Sequence, residues 1–186
     1  MHKRFTLHAS YFTLIQLKKY YPLFIFTPLI IGLDHLTKYW VLRNIPYGSS
    51  IPVFSHFFEL VHFRNRGVAF SLFSNHERPL FLYLFTLAAL AALLYLYFKT
   101  KPGERSLQIP LALILGGALG NFIDRMIRGE VVDFLYFHWQ DRVAHFAIFG
   151  KEIRFLLAWP AFNVADAAIT CGAIFLAFKV LTRPPS

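Results

Sequence analysis

Four aspartates, Asp34, Asp124, Asp133 and Asp166, lie at or close to the ends of apolar stretches. An ionised side chain at such a depth needs a partner or a polar cavity, so each is a candidate for function. The densest stretch runs Gly116-Gly117-Ala118-Leu119-Gly120-Asn121-Phe122-Ile123-Asp124-Arg125 and continues to Val131-Val132-Asp133-Phe134. Two carboxylates in one site repel when both are ionised, so the pair holds a single proton. One member then takes a proton from water while its protonated partner polarises a carbonyl, which is the chemistry of peptide hydrolysis. Spacing alone does not choose the pair. Gly117, Asn121 and Asp124 follow at i, i+4 and i+7 and share one inward helix face, so Asp124 can meet Asp166 as readily as Asp133 can. Asn163, Asp166 and Thr170 are likewise expected to face the interior together.

Asp34 and Lys38 are four residues apart, with the acid N-terminal to the base, the favourable order for a helical pair. Two readings stand side by side. Either they form a salt bridge that makes both charges tolerable, or Lys38 reaches outward to lipid phosphate or substrate while Asp34 holds the local geometry. Arg125 either snorkels to the interface or shapes the site. Asn65-x-Gly67 suggests backbone packed closely against a neighbour, with the Asn amide free to bond main chain or a peptide substrate. Other chemistries fit poorly. The eight His residues form no His-Glu-x-x-His, so neither a metal nor any cofactor is expected. There is no Gly-x-Ser-x-Gly elbow and no glycine-rich phosphate loop, and Ser71 with Lys38 is a remote alternative. The single Cys171 lies in an apolar run beside Gly172 and is expected to be buried and inert.

The elements that must position these residues are membrane spans. With 56% hydrophobic and 18% aromatic residues and a mean hydropathy of +0.48, the chain is too apolar for a soluble domain of its size. The predicted fold is an all-α transmembrane four-helix bundle, a single domain over 1–186. Its spans fall at about 20–41, 80–98, 107–127 and 160–180, with a small extracytoplasmic β-rich platform between spans one and two and between three and four. Pro110 and Pro160 are placed in the first turns of their helices, where a missing N–H costs least. Gly116 and Gly120 form a small-xxx-small pair that lets another helix approach. Residues 43–79 read as polar and irregular apart from a short strand at 57–63, and 129–158 as an aromatic-polar alternation turning at Gly150-Lys151.

Residues 1–20, 99–106 and 179–186 hold nine basic residues against the one acid Glu104, while ten basic and nine acidic residues fall elsewhere. The positive-inside rule then puts both termini in the cytoplasm and the four aspartates near the extracytoplasmic face. The net charge of +9 flanks apolar runs rather than lying on one soluble face, so no nucleic acid is expected.

Five blocks carry a resemblance: Asp34-x-x-Thr37-Lys38, Asn65-x-Gly67-x-Ala69-Phe70-Ser71, Gly116-Gly117-x-x-Gly120-Asn121-x-x-Asp124-Arg125, Val131-Val132-Asp133-Phe134 and Phe162-Asn163-x-Ala165-Asp166. In this order, over residues 28–172, they resemble the lipoprotein signal peptidase family, or signal peptidase II. The resemblance implies an aspartic endopeptidase of the bacterial inner membrane that removes signal peptides from prolipoproteins, cutting before a diacylglyceryl-modified Cys. It also implies Asp133 and Asp166 as the catalytic pair, with Asn121, Asp124, Arg125 and Asn163 shaping the site. Asn65 and Gly67 would position the substrate backbone, and Asp34 and Lys38 would orient the first helix and the lipid-bearing substrate. The implied partners are such prolipoproteins and membrane lipids, and a monomer is expected. The N-terminal arm and the segment between Asp133 and Phe162 look longer than the family pattern.

Two further readings of the residues remain at this point. A small proton-coupled transporter would use intramembrane Asp residues as a relay, but needs polar residues along a path through the membrane. A structural membrane subunit would use Asp–Arg and Asp–Lys pairs to hold helices together.

Overall fold

The computed structural model describes the backbone over residues 2–67, 78–148 and 151–182, and side chains over 18–67, 80–139 and 157–182. The chain forms helix α1 (His2–Asn44), strands β1 (Ser50–Phe54) and β2 (Phe58–Asn65), helices α2 (Arg78–Lys99) and α3 (Arg105–Arg128), strands β3 (Val131–Ile148) and β4 (Lys151–Phe162), and helix α4 (Val164–Leu181). The strands make one antiparallel sheet in the order β1-β2-β3-β4. Among the described residues three helices, α2, α3 and α4, are long and apolar enough to cross a membrane.

Helix α3 is the hub, in contact with α1, α2 and α4. Its small residues set the distances. Gly116 abuts Ile30 and the Thr27 carbonyl of α1, Gly120 abuts the Asp34 carboxylate, and Gly117 lies against the Ala165 carbonyl and Ile169 of α4. The small-xxx-small pair therefore does admit a second helix, and that helix is α1. A Cβ at Gly117 would run into backbone that cannot yield by rotamer change. Gly117→Ala should cost about 1–3 kcal/mol. Gly32 has open space around it, so Gly32→Ala should be neutral or slightly stabilising. Thermal unfolding of the two proteins in detergent checks the contrast, and equal midpoints would refute it.

At the end of the bundle remote from the aspartates, Tyr97 is fully buried. Its hydroxyl donates to the Lys19 carbonyl at 2.7 Å and accepts from the Leu23 N–H at 3.2 Å. These are the acceptor and donor of one i→i−4 helical bond, so α2 inserts a side chain into the ladder of α1 beside Pro22. The Lys19 ammonium donates in turn to the Phe98 carbonyl at the end of α2. At the other end Val41 of α1 and Ile45, just past its end, pack with Val132 and Phe134 of β3, which anchors the sheet beside Asp133.

Several boundaries differ from the sequence expectation. Strand β1 forms where residues 43–79 read as irregular, because Pro52 lies on the edge strand of the sheet, where its missing N–H breaks no ladder. Helix α3 begins at Arg105, so Pro110 lies inside it rather than in its first turn. Pro160 belongs to β4, and α4 begins four residues later because Asn163 caps it. Thr170 and Cys171 are exposed. The interior face of α4 is carried instead by Ala165, Ala168 and Gly172, with Gly172 set against the Pro110 carbonyl and Ile114. Residues 68–71, including Ser71, and Gly150 lie outside the described residues.

Candidate active site

Five elements and one cap meet at a single polar network. Its inner half is built on Lys38, whose ammonium lies 2.7 Å from Asp34 Oδ2, 2.7 Å from Asp124 Oδ2 and 3.0 Å from Asn121 Oδ1. Lys38, Asp34 and Asp124 are all fully buried. Arg128 pairs with Asp124 from one helical turn further along α3. Asp34 Oδ1 also accepts the Ala165 N–H at 3.0 Å, which satisfies an otherwise orphaned donor in the first turn of α4. Lys38 therefore does not reach outward. The salt-bridge reading holds, extended to a second carboxylate on α3.

The outer half carries Asp133 and Asp166. Asn163 caps α4: its side chain accepts the Asp166 N–H at 2.9 Å, and Asp166 Oδ2 accepts the Asn163 N–H at 3.2 Å. The same Asn163 amide donates to Asp133 Oδ1 at 2.8 Å. Asn121 donates to Asp166 Oδ1 at 2.8 Å while its carbonyl oxygen accepts from Lys38, so it joins the two halves. Asn65, at the end of β2, donates to Asp133 Oδ2 at 3.1 Å, and its own Oδ1 accepts the Gly67 N–H at 2.8 Å. Gly67 has φ +73°, and a Cβ there would meet Leu82, so the turn after Asn65 requires glycine.

Burial pushes the Asp133 carboxyl up to about 6, and the neighbouring Asp166 charge adds to the rise against the bonds from Asn65 and Asn163 and the Lys38 charge. A raised value means that the folded state binds this proton more tightly than the unfolded chain. Stability from this group is therefore full below the ordinary aspartate value of 3.8 and falls as pH climbs to about 6. The total change is about 3 kcal/mol at most. Melting temperature against pH should fall for wild type relative to Asp133→Asn between pH about 4 and about 7, and parallel curves would remove the effect.

Eight of the ten residues expected from the sequence share this network: Asp34, Lys38, Asn65, Asn121, Asp124, Asp133, Asn163 and Asp166. Gly67 adjoins it through Asn65. Arg125 does not join it. Its carbonyl accepts the Tyr83 hydroxyl at 3.0 Å and its buried Nε has no partner among the described residues, while Arg128 holds Asp124. The Asp124–Arg128 spacing of i, i+4 was a readable signal. Glu130 also went unread. It is buried and holds both Arg64 and Arg66. No sequence signal pointed to His35, whose ring lies 3.9 Å from Asp34 and 4.0 Å from Asp124.

The sequence model of signal peptidase (SPase) II matches residues 26–182. The chain belongs to the signal peptidase II family. Among relatives, it is 39% identical to the lipoprotein signal peptidase of Tolumonas auensis over 84% of this chain and 87% of that one. It is 38% identical to that of Geobacter metallireducens over 89% and 94%. A solved bacterial membrane enzyme superposes with a TM-score of 0.69 at 31% identity, covering 87% of this chain and 93% of its own. All five blocks that carry the resemblance lie within the signal peptidase II match.

Proposed function

We propose that this protein is an intramembrane aspartic endopeptidase that removes signal peptides from diacylglyceryl-modified prolipoproteins, cutting before the lipidated Cys. The observation that carries the reading is the Asp133–Asp166 pair, held by amides rather than by cations. Asp124, the rival from spacing, is neutralised by Lys38 and Arg128, which suits it to structure. Asp133 and Asp166 each accept bonds at both oxygens from Asn65, Asn163 and Asn121, so their positions are fixed and their charge is left to react.

In the proposed step Asp166 is the base. It lies in the first turn of α4, where the helix dipole and the capping N–H stabilise negative charge. Asp133, in the more desolvated setting, holds the shared proton. Asp166 takes a proton from water as its oxygen bonds to the scissile carbonyl carbon, and Asp133 donates to the carbonyl oxygen. The tetrahedral species then breaks its C–N bond: the leaving nitrogen receives the proton from Asp166, and one hydroxyl returns its proton to Asp133 as the C=O re-forms, which restores the starting pair. Arg125, whose Nε has no partner among the described residues, remains available to shape the substrate site.

The membrane placement belongs to the same proposal. Helix α1 adds a fourth span to α2, α3 and α4, and can do so because the two charges within its 20–41 stretch, Asp34 and Lys38, are buried against each other and α3. Both termini face the cytoplasm of a bacterial inner membrane, and the sheet forms an extracytoplasmic platform around the aspartates. A signal peptide is itself apolar, so it can reach the pair sideways through the bilayer. The test is cleavage by the purified protein in detergent. A diacylglyceryl-modified prolipoprotein should be cut before its modified Cys and the unmodified form should not. Equal cutting of both, or of neither, sinks the proposal.

A further inference from the structure

We propose that Glu130 is a positioning residue for the reaction: by holding Arg64 and Arg66 with one carboxylate it fixes the end of β2 and so aims the Asn65 amide at Asp133. The inference rests on the peptidase reading above. Arg64 Nη1 donates to Glu130 Oε1 at 2.9 Å, and Arg66 Nε donates to Oε2 at 3.1 Å. Both oxygens are used, and the two arginines flank Asn65 on either side.

The backbone explains why such a clamp is needed. The β2–β3 ladder ends with Asn65 opposite Val131, and the chain then turns at Gly67 with a positive φ. Asn65 is thus the last paired residue, where a strand frays most easily. Side chains alternate along a strand, so Arg64 and Asn65 project from opposite sides, and Arg66, just past the end of β2, reaches the same Glu130 as Arg64. Glu130, the residue before β3, is held by Arg64, while Asp133 meets Asn65. One side of the sheet end therefore carries the clamp and the opposite side carries the reaction, and the Arg66–Glu130 pair continues the strand contact one residue past the last rung. Arg64 is steadied further by the Tyr47 ring, 4.8 Å from its guanidinium carbon.

Ion pairs with exposed arginines add little to stability. Arg66 is 77% exposed, so the clamp's contribution lies in geometry. The charged groups that face Asp133 directly are Asp166 from α4 and Lys38 from α1. Glu130 acts on Asp133 only through Asn65.

The experiment compares wild type, Glu130→Gln and Asn65→Ala in two assays: kcat and KM for lipid-modified prolipoprotein, and melting temperature against pH. Glu130→Gln should lower kcat roughly tenfold at unchanged KM, as a small misplacement beside reacting groups does. It should also move the pH at which stability falls upward, because a loosened Asn65 amide favours the Asp133 carboxylate less. Asn65→Ala should shift it in the same direction and further. An unchanged kcat and an unchanged pH transition in Glu130→Gln overturn the inference, as does a lower melting temperature with neither shift. If wild type cuts no substrate, the peptidase reading fails, and an unmoved stability transition then overturns the clamp independently.

Discussion

Purified Asp133→Asn and Asp166→Asn should each cut lipid-modified prolipoprotein roughly 10²- to 10⁴-fold more slowly than wild type, the loss expected when a positioned proton-transfer group is removed. Asn keeps the shape and the acceptor oxygen but cannot exchange a proton. KM should change little, because neither carboxylate is proposed to bind the substrate in its ground state. The two losses should not add in the double variant, since a pair sharing one proton acts as a unit. Asp124→Asn is the informative comparator. Its carboxylate is matched by two cations, so neutralising it should lower folded yield or melting temperature before it lowers turnover of the folded fraction. A folded but inactive Asp124→Asn together with an active Asp133→Asn would move the reaction to the other aspartate.

Lys38→Met should be the most destabilising single change in the bundle. Lys38 is fully buried between Asp34 and Asp124, and removing one partner of a buried ion pair typically costs about 3–5 kcal/mol. Among the described residues the remaining Asp34 carboxylate would keep one hydrogen bond, from the Ala165 N–H, with the His35 ring 3.9 Å away. Neutralising Asp34 in the same protein should recover part of the loss, because the double variant Asp34→Asn/Lys38→Met no longer buries that unpaired charge. Unfolding in detergent measures both, and a Lys38→Met midpoint within error of wild type would remove Lys38 from the structural account.

What the sequence discloses here depends on the length scale of the interaction. Helices α2 and α3 were legible because uninterrupted apolar runs with charged flanks have few alternatives. The pairing of Asp34 with Lys38 was legible because i, i+4 is a local relation. That Asp124 completes the site of Lys38 was not, since the contact spans α1 and α3 and depends on how closely Gly116 and Gly120 let those helices approach. The start of α4 was misplaced for a different reason. Pro160 and Asn163 both carry helix-start signals, and the capping box formed by Asn163 with Asp166 won while β4 claimed Pro160 for the sheet. Strand β1 was hidden because its five residues are all exposed, which leaves no alternation of buried and exposed positions to detect. The choice between Asp124 and Asp133 was undecidable from spacing. It becomes a physical question only once the cations around one and the amides around the other can be compared.

The box that closes α4 gives the proposed enzyme a built-in safeguard. Asp133 comes from a strand and Asp166 from a helix 33 positions later in the chain. Asn163 can bond Asp133 Oδ1 and the Asp166 N–H together only when that helix has started at the right residue and docked against the strand. A nascent or half-inserted chain thus carries both acids but no hydrolytic centre. Maturation of the protease and completion of its fold are one event, so unfinished copies would reside in the membrane without attacking the proteins around them.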